Sequence, residues 1–183
     1  MAVNPGERFI AALTTALDDW RPRLPLSWTA PDAWHLTLQF LAEWPENRLP
    51  GLVTALTPAA DVERFLIEPG ATATFGRRGD PRVLFLQMEG AGQAAQLAAG
   101  IRAAVAGCWP DGPQDNRPFR SHLTLARIRR PLGPDELKVL SAVTLETLPA
   151  MAVDGFSLMA STLGPKGASH AELAFFPLRK KGE

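Results

Sequence analysis

The 183-residue sequence predicts a mixed fold of strands and helices, duplicated into two similar lobes. Three observations lead there. The tetrapeptide HLTL stands at residues 35–38 and again at 122–125. Each copy lies in a run whose polar and apolar residues alternate, the pattern of a strand with one polar and one buried face. Each of these runs is followed in its own half by a helical pattern, and no low-complexity linker separates the halves.

The elements follow in order. "RFIAAL" (8–13) is a short run of large apolar residues that suits a buried strand, and "TTALDDW" (14–20) reads as a short helix ended by Pro22 and Pro25. "AWHLTLQFLA" (33–42) is predicted as a strand with His35, Thr37 and Gln39 on one face and Leu36, Leu38 and Phe40 on the other. Residues 47–60 place Leu49, Leu52, Val53 and Leu56 at helical spacing, with Pro50 tolerated in the first turn. "TATFG" (72–76) and "PRVLFLQME" (81–89) read as strands joined by "RRGD", where Gly79 and Asp80 support a turn. Residues 92–109 form the clearest amphipathic helix, with Leu97, Ile101, Val105 and Cys108 on one stripe. Loop (111–118), a second alternating strand (119–128), a helix (133–148) and two strands (152–162 and 170–178) around a turn (163–169) complete the chain.

Composition limits the function classes. Apolar residues make up 46% and charged residues 21%, as in ordinary globular chains, so the chain is expected to bury a full core. Lys plus Arg and Asp plus Glu balance at 19 each, so an anionic partner must be held by a local positive cluster rather than by overall charge. The single cysteine, Cys108, has no internal partner for a disulfide and reads as a core filler. No stretch resembles a signal peptide or a membrane span, so a soluble, cytoplasmic protein is expected; a monomer is the expected state, although the residues do not settle it.

Side chains two apart on a strand share a face, so each His-x-Thr presents an imidazole beside a hydroxyl while the leucines enter the core. Facing lobes would then bring two imidazoles and two hydroxyls into one cleft. Imidazole titrates near neutrality, so one copy can take a proton while the other gives one. With hydroxyls to hold phosphoryl oxygens, that set suits metal-free cleavage of a phosphodiester. The competing reading is a metal site, but neither His35 nor His122 has a carboxylate, His or Cys at a ligating spacing, and threonine is a poor zinc ligand. No metal and no cofactor are expected.

The two HLTL motifs, with "RFIAAL", "PRVLFL", "PFRSHLTLAR" and "FSLMASTLGPKGASHAELAFFPL", resemble the two-histidine (2H) phosphoesterase superfamily, specifically its RNA 2′,3′-cyclic phosphodiesterases, also called 2′-5′ RNA ligases. The likeness runs from about residue 8 to 178. It implies a single α+β domain over residues 1–183 with two pseudo-symmetric lobes, each an antiparallel sheet with outer helices, around a central cleft lined by the His-x-Thr strands. It implies RNA ends with a 2′,3′-cyclic phosphate, or a small nucleotide, as the partner, opened to a 2′-phosphate. His35 would be the proton donor and His122 the proton acceptor, and Thr37 and Thr124 would hold phosphate oxygens; the two tetrapeptides are identical, so the residues themselves leave the two histidine roles open. Arg120 shares the strand parity of His122 and Thr124 and can reach the phosphate as a charged donor. Arg127 is the arginine of the family's His-x-Thr-Leu-Ala-Arg run, yet regular alternation turns it to the opposite face unless a bulge re-aims it.

Departures from the family pattern are Ala42 for glycine, Ser121 for proline and His170 for tyrosine, and His170 is expected to be an ordinary strand histidine. A terminal base would need an aromatic platform. Phe9, Phe40, Trp44 and Phe119 lie near the motifs, with core packing expected for Phe9 and Phe40. The alternatives to RNA-end hydrolysis are a cyclic phosphodiesterase of small nucleotides such as an ADP-ribose derivative, a non-catalytic RNA-end binding module, and a duplicated structural protein.

Overall fold

The computed structural model describes residues 1–41, 43–90, 92–112, 115, 117–145, 147–164, 167–180 and 182, excepting the side chains of 163, 164 and 167–169. In chain order the elements are β1 (Ala2–Val3), α1 (Glu7–Asp18), β2 (Ser27–Trp28), β3 (Leu36–Thr37), α2 (Leu49–Leu56), β4 (Phe65–Arg77), β5 (Asp80–Glu89), α3 (Gly92–Cys108), β6 (His122–Arg127), α4 (Pro134–Ser141), β7 (Met151–Val153), β8 (Gly155–Gly164) and β9 (Gly167–Pro177). The mixed α+β class is as expected. The strands join in one path, β7-β4-β5-β6-β3-β1-β8-β9, with β2 added beside β6.

The first predicted strand is a helix. Phe9, Leu13 and Leu17 are its buried residues, and their spacing of four puts them on one stripe. A six-residue window at "RFIAAL" holds too little of that period to show it, and Ala11, Ala12 and Ala16 favour the helix. The strand at this end of the chain is instead β1, two residues that pair with β3 on one side and β8 on the other. Two residues carry no periodicity, so nothing in the sequence marks them.

The strand predicted over 33–42 contracts to Leu36–Thr37. A 3₁₀ turn at Pro31–Ala33 precedes it, and beyond it the amides of Leu38 and Gln39 both donate to the Met1 carbonyl rather than continuing a ladder. The opposite change occurs in β4, which begins at Phe65, well before "TATFG". Pro69 and Gly70 read as a break, but the β4–β5 register shifts between Pro69 and Thr72, so a bulge absorbs them and the strand continues. The hairpin closes through Arg78 and Gly79, the latter at φ 79°. Gly76, at φ 136°, could not carry a side chain, because a Cβ there would meet the Asp80 carbonyl oxygen at 2.6 Å.

The helix predicted over 133–148 stops at Ser141. Gly133 caps it with its amide donating 2.9 Å to Glu136, and the Glu136 carboxylate also takes two hydrogen bonds from Arg130. Those contacts, Arg130 first, hold the Glu136 carboxyl at about 2. After the helix, Val143 turns into the core and its carbonyl accepts from the Thr72 hydroxyl. The helices at 49–56 and 92–108 match expectation and pack on one another. Leu52 and Leu56 of α2 join Leu97, Ile101 and Val105 of α3 and Leu84 and Leu86 of β5 in one apolar cluster. Cys108, half-buried, packs at its edge. The predicted loop at 111–118 and turn at 163–169 fall partly outside the described residues. No helix among the described residues is long and apolar enough to cross a membrane.

Candidate active site

The two HLTL motifs are neighbours in the sheet. β3 and β6 run antiparallel with Leu36 opposite Leu123. That register sets His35 across from Thr124 and Thr37 across from His122, a near two-fold arrangement of like groups. Leu36 and Leu123 are both fully buried, so the four polar side chains project from the other face, where each is half-buried.

Both histidines are anchored alike. The Ala33 carbonyl lies 2.9 Å from His35 Nδ1, and the Arg120 carbonyl lies 2.7 Å from His122 Nδ1. A carbonyl only accepts, so each Nδ1 carries the hydrogen and each Nε2 is the nitrogen left for chemistry. Because the acceptor is the residue two before the histidine in each copy, the same local backbone orients both rings. His122 is walled by Phe75 and Phe85, whose rings meet it edge-on at 5.0 and 5.4 Å and stack on each other at 4.0 Å. His35 instead meets the ring of His170 at 5.0 Å. His170, expected to be unrelated to the site, therefore adjoins it; its lack of an HLTL context hid a contact made only by the folding of the β8–β9 hairpin.

Burial lowers the proton affinity of His35 below its usual value near 6.5; the Ala33 carbonyl opposes this, and the charges of His170, the Met1 ammonium and His122 add to it. The Met1 amine, buried and donating to the Gln39 carbonyl, is likewise pushed down to about 6 from 8.0. In both cases the unfolded chain binds a proton that the folded chain resists. Stability is thus full above the unfolded values and is lost as pH falls, from about 8 for the amine and about 6.5 for His35. The thermal midpoint is expected to drop as pH is lowered from about 8 to about 5.5, and the part below about 6.5 should flatten in His35→Phe; differential scanning calorimetry at fixed ionic strength checks both.

Arg127 is where regular alternation would not put it. Thr124 pairs with Phe85 and Ala126 with Leu84, so Leu125 is an extra residue, a bulge in β6. Leu125 and Ala126 are both buried, and Arg127, opposite Val83, emerges exposed on the face that carries His122 and Thr124. Arg120 is exposed just before β6, and its carbonyl holds the His122 ring. Arg129 and Arg130 are engaged elsewhere, with Ser27 and Glu136. Among the four aromatics near the motifs, Phe9 is core as expected, Trp44 packs on Trp109 and Phe119 on the core. Phe40 is 56% exposed, against the expected core packing, because the chain leaves β3 before reaching it. Gln39, on the parity of His35 and Thr37, is buried and accepts from Arg102 of α3. Among the described residues no three His, Cys, Asp or Glu side chains are grouped to hold a metal ion.

Known proteins resemble this chain in sequence and in architecture. The RNA 2′,3′-cyclic phosphodiesterase of Thermus thermophilus is 35% identical over 97% of this chain and 88% of its own. A crystal structure of a Thermus thermophilus protein superimposes with a TM-score of 0.80 at 32% identity, covering 98% of this chain and 97% of that one. E. coli LigT complexed with NADP+ does so at 0.70 and 25% identity, covering 97% and 95%. The profile of the 2′-5′ RNA ligase superfamily matches residues 7–164. With that match spanning most of the chain, and both His-x-Thr motifs within it, the chain belongs to the 2′-5′ RNA ligase superfamily.

Proposed function

We infer that the chain is a metal-independent RNA 2′,3′-cyclic phosphodiesterase that opens the terminal ring to a 2′-phosphate. The observation that carries this reading is the pair of identically anchored imidazoles, each with Nδ1 committed to a carbonyl and each opposite a threonine of the other motif. The name of the Thermus relative supports the substrate. His122 Nε2 takes a proton from water as its oxygen attacks phosphorus, the bond from phosphorus to O3′ breaks, and His35 Nε2 gives its proton to O3′. Thr37 and Thr124 hold the phosphoryl oxygens, and Arg127 and Arg120 offset the charge that gathers there. The donor role of His35 and the acceptor role of His122 follow the family resemblance, because the two rings are anchored alike. Phe40, the exposed aromatic among those near the motifs, is the platform for the terminal base. The two sides of the sheet, β7-β4-β5-β6 and β3-β1-β8-β9, form two pseudo-symmetric lobes of one domain, each with one HLTL strand.

The test is hydrolysis of a short RNA 2′,3′-cyclic phosphate in EDTA, with 2′- and 3′-phosphate products resolved. Turnover to the 2′-phosphate is expected; no turnover, or a 3′-phosphate, overturns the reading. In the same assay Arg127→Ala should raise KM about tenfold, in keeping with loss of a charge-assisted phosphate contact, while Arg129→Ala, already bound to Ser27, should change it less than about twofold. A second reading, a small nucleotide as substrate, draws on LigT having been crystallised with NADP+. The ratio of kcat/KM for a nucleotide cyclic phosphate to that for an RNA end separates the two.

A further inference from the structure

His170 is the one histidine of three that stands outside an HLTL motif, and its ring packs edge to face on His35, with planes at 66°. It arrives from β9, where it pairs across the hairpin with Ser161 of β8. The Ser161 hydroxyl lies 2.9 Å from His170 Nδ1. A hydroxyl both donates and accepts, so this contact holds the ring whichever nitrogen carries the hydrogen, and it leaves Nε2 outside the bond. His35 is tied at Nδ1 to Ala33 and bounded on another side by this second ring, so its plane is set from two directions.

We propose that His170 is a positioning residue for His35, a third imidazole clamped by Ser161 that fixes the plane of the His35 ring and stands as a titratable neighbour beside it. Its kinetic consequence rests on the phosphodiesterase reading; its effect on His35 itself does not. Among the described residues, the groups acting on His35 are His170 from β9, the Met1 ammonium just before β1, His122 from β6 and the Ala33 carbonyl. Among the described residues, His170 contacts His35 through its ring and Ser161 through Nδ1. Two imidazoles this close resist holding protons together, so removing His170 leaves His35 easier to protonate.

The experiment is an NMR titration of the histidine rings in the full chain without substrate, beside pH profiles of kcat. His170→Phe keeps a ring edge but no charge; the His35 midpoint is expected to rise by about half a unit or more, with the matching limb of the kcat profile following. His170→Asn keeps a partner for Ser161 but no ring; kcat should fall about tenfold with KM within about twofold, the split expected when orientation rather than binding is lost. A His35 midpoint unmoved in His170→Phe overturns the proposal, and so does an unchanged kcat in His170→Asn. If either variant fails to fold, Ser161→Ala removes the clamp alone, and an unchanged kcat there overturns it equally. Absence of turnover in the unmodified chain sinks the phosphodiesterase reading and leaves the substrate-free midpoint as the deciding measurement.

Discussion

Replacing His122 with alanine is expected to lower kcat on an RNA 2′,3′-cyclic phosphate by about 10²–10⁴-fold, the usual cost of removing a general base. His35→Ala should cost a similar factor. In both variants the loss should fall on kcat more than on KM, since a proton transfer is made in the transition state and not in the ground state. Stability should change much less than activity: each residue is half-buried, and loss of its ring's edge contacts costs about 1–2 kcal/mol, a few degrees in Tm. If the two act in one step, as proposed, the double variant should be scarcely worse than either single one, since such effects are not additive. Steady-state kinetics with circular dichroism melts on the same preparations check all of this. A variant that keeps more than a tenth of kcat rules out that histidine as proton carrier.

The second large effect lies one residue away and on the opposite face. Leu123→Ala is expected to destabilise the fold by about 2–5 kcal/mol, since a fully buried leucine leaves a cavity that the sheet cannot close. Leu123 pairs with Leu36 on one side and Leu86 on the other, so it sits where the two sides of the sheet are joined. Urea unfolding should show a lower midpoint with little change in slope. Thr124→Val should do the reverse, leaving the stability within about 1 kcal/mol while reducing kcat/KM, because its hydroxyl faces the site and its neighbour Leu123 faces the core. Opposite outcomes at adjacent positions would be hard to reconcile with a purely structural role for the repeated motif; a similar loss of stability in both would support one.

Much of this site is legible in one dimension. The repetition of HLTL, with the two-residue period of a strand, determines which side chains face out and which face in, and it needs no partner to do so. The helix over 92–108 is legible for the same reason: its stripe of Leu97, Ile101 and Val105 is long enough to display its period. Where an element spans no more than one period, as at Ala2–Val3, or is viewed through too short a window, as at Glu7–Asp18, local pattern carries too little information and the core decides.

What the sequence by itself determined is therefore which side chains share one face: two imidazoles and two hydroxyls, with the leucines that turn them outward. Three other matters were decided by the tertiary structure. The antiparallel register of Leu36 with Leu123 sets each histidine opposite the other motif's threonine, and register depends on strands distant in the chain. The bulge at Leu125 returns Arg127 to the site face because Leu125 and Ala126 are both taken into the core, a packing outcome that alternation cannot express. His170 comes to His35 from a hairpin near the other end of the chain, through a contact that exists only once the sheet has closed the distance between them.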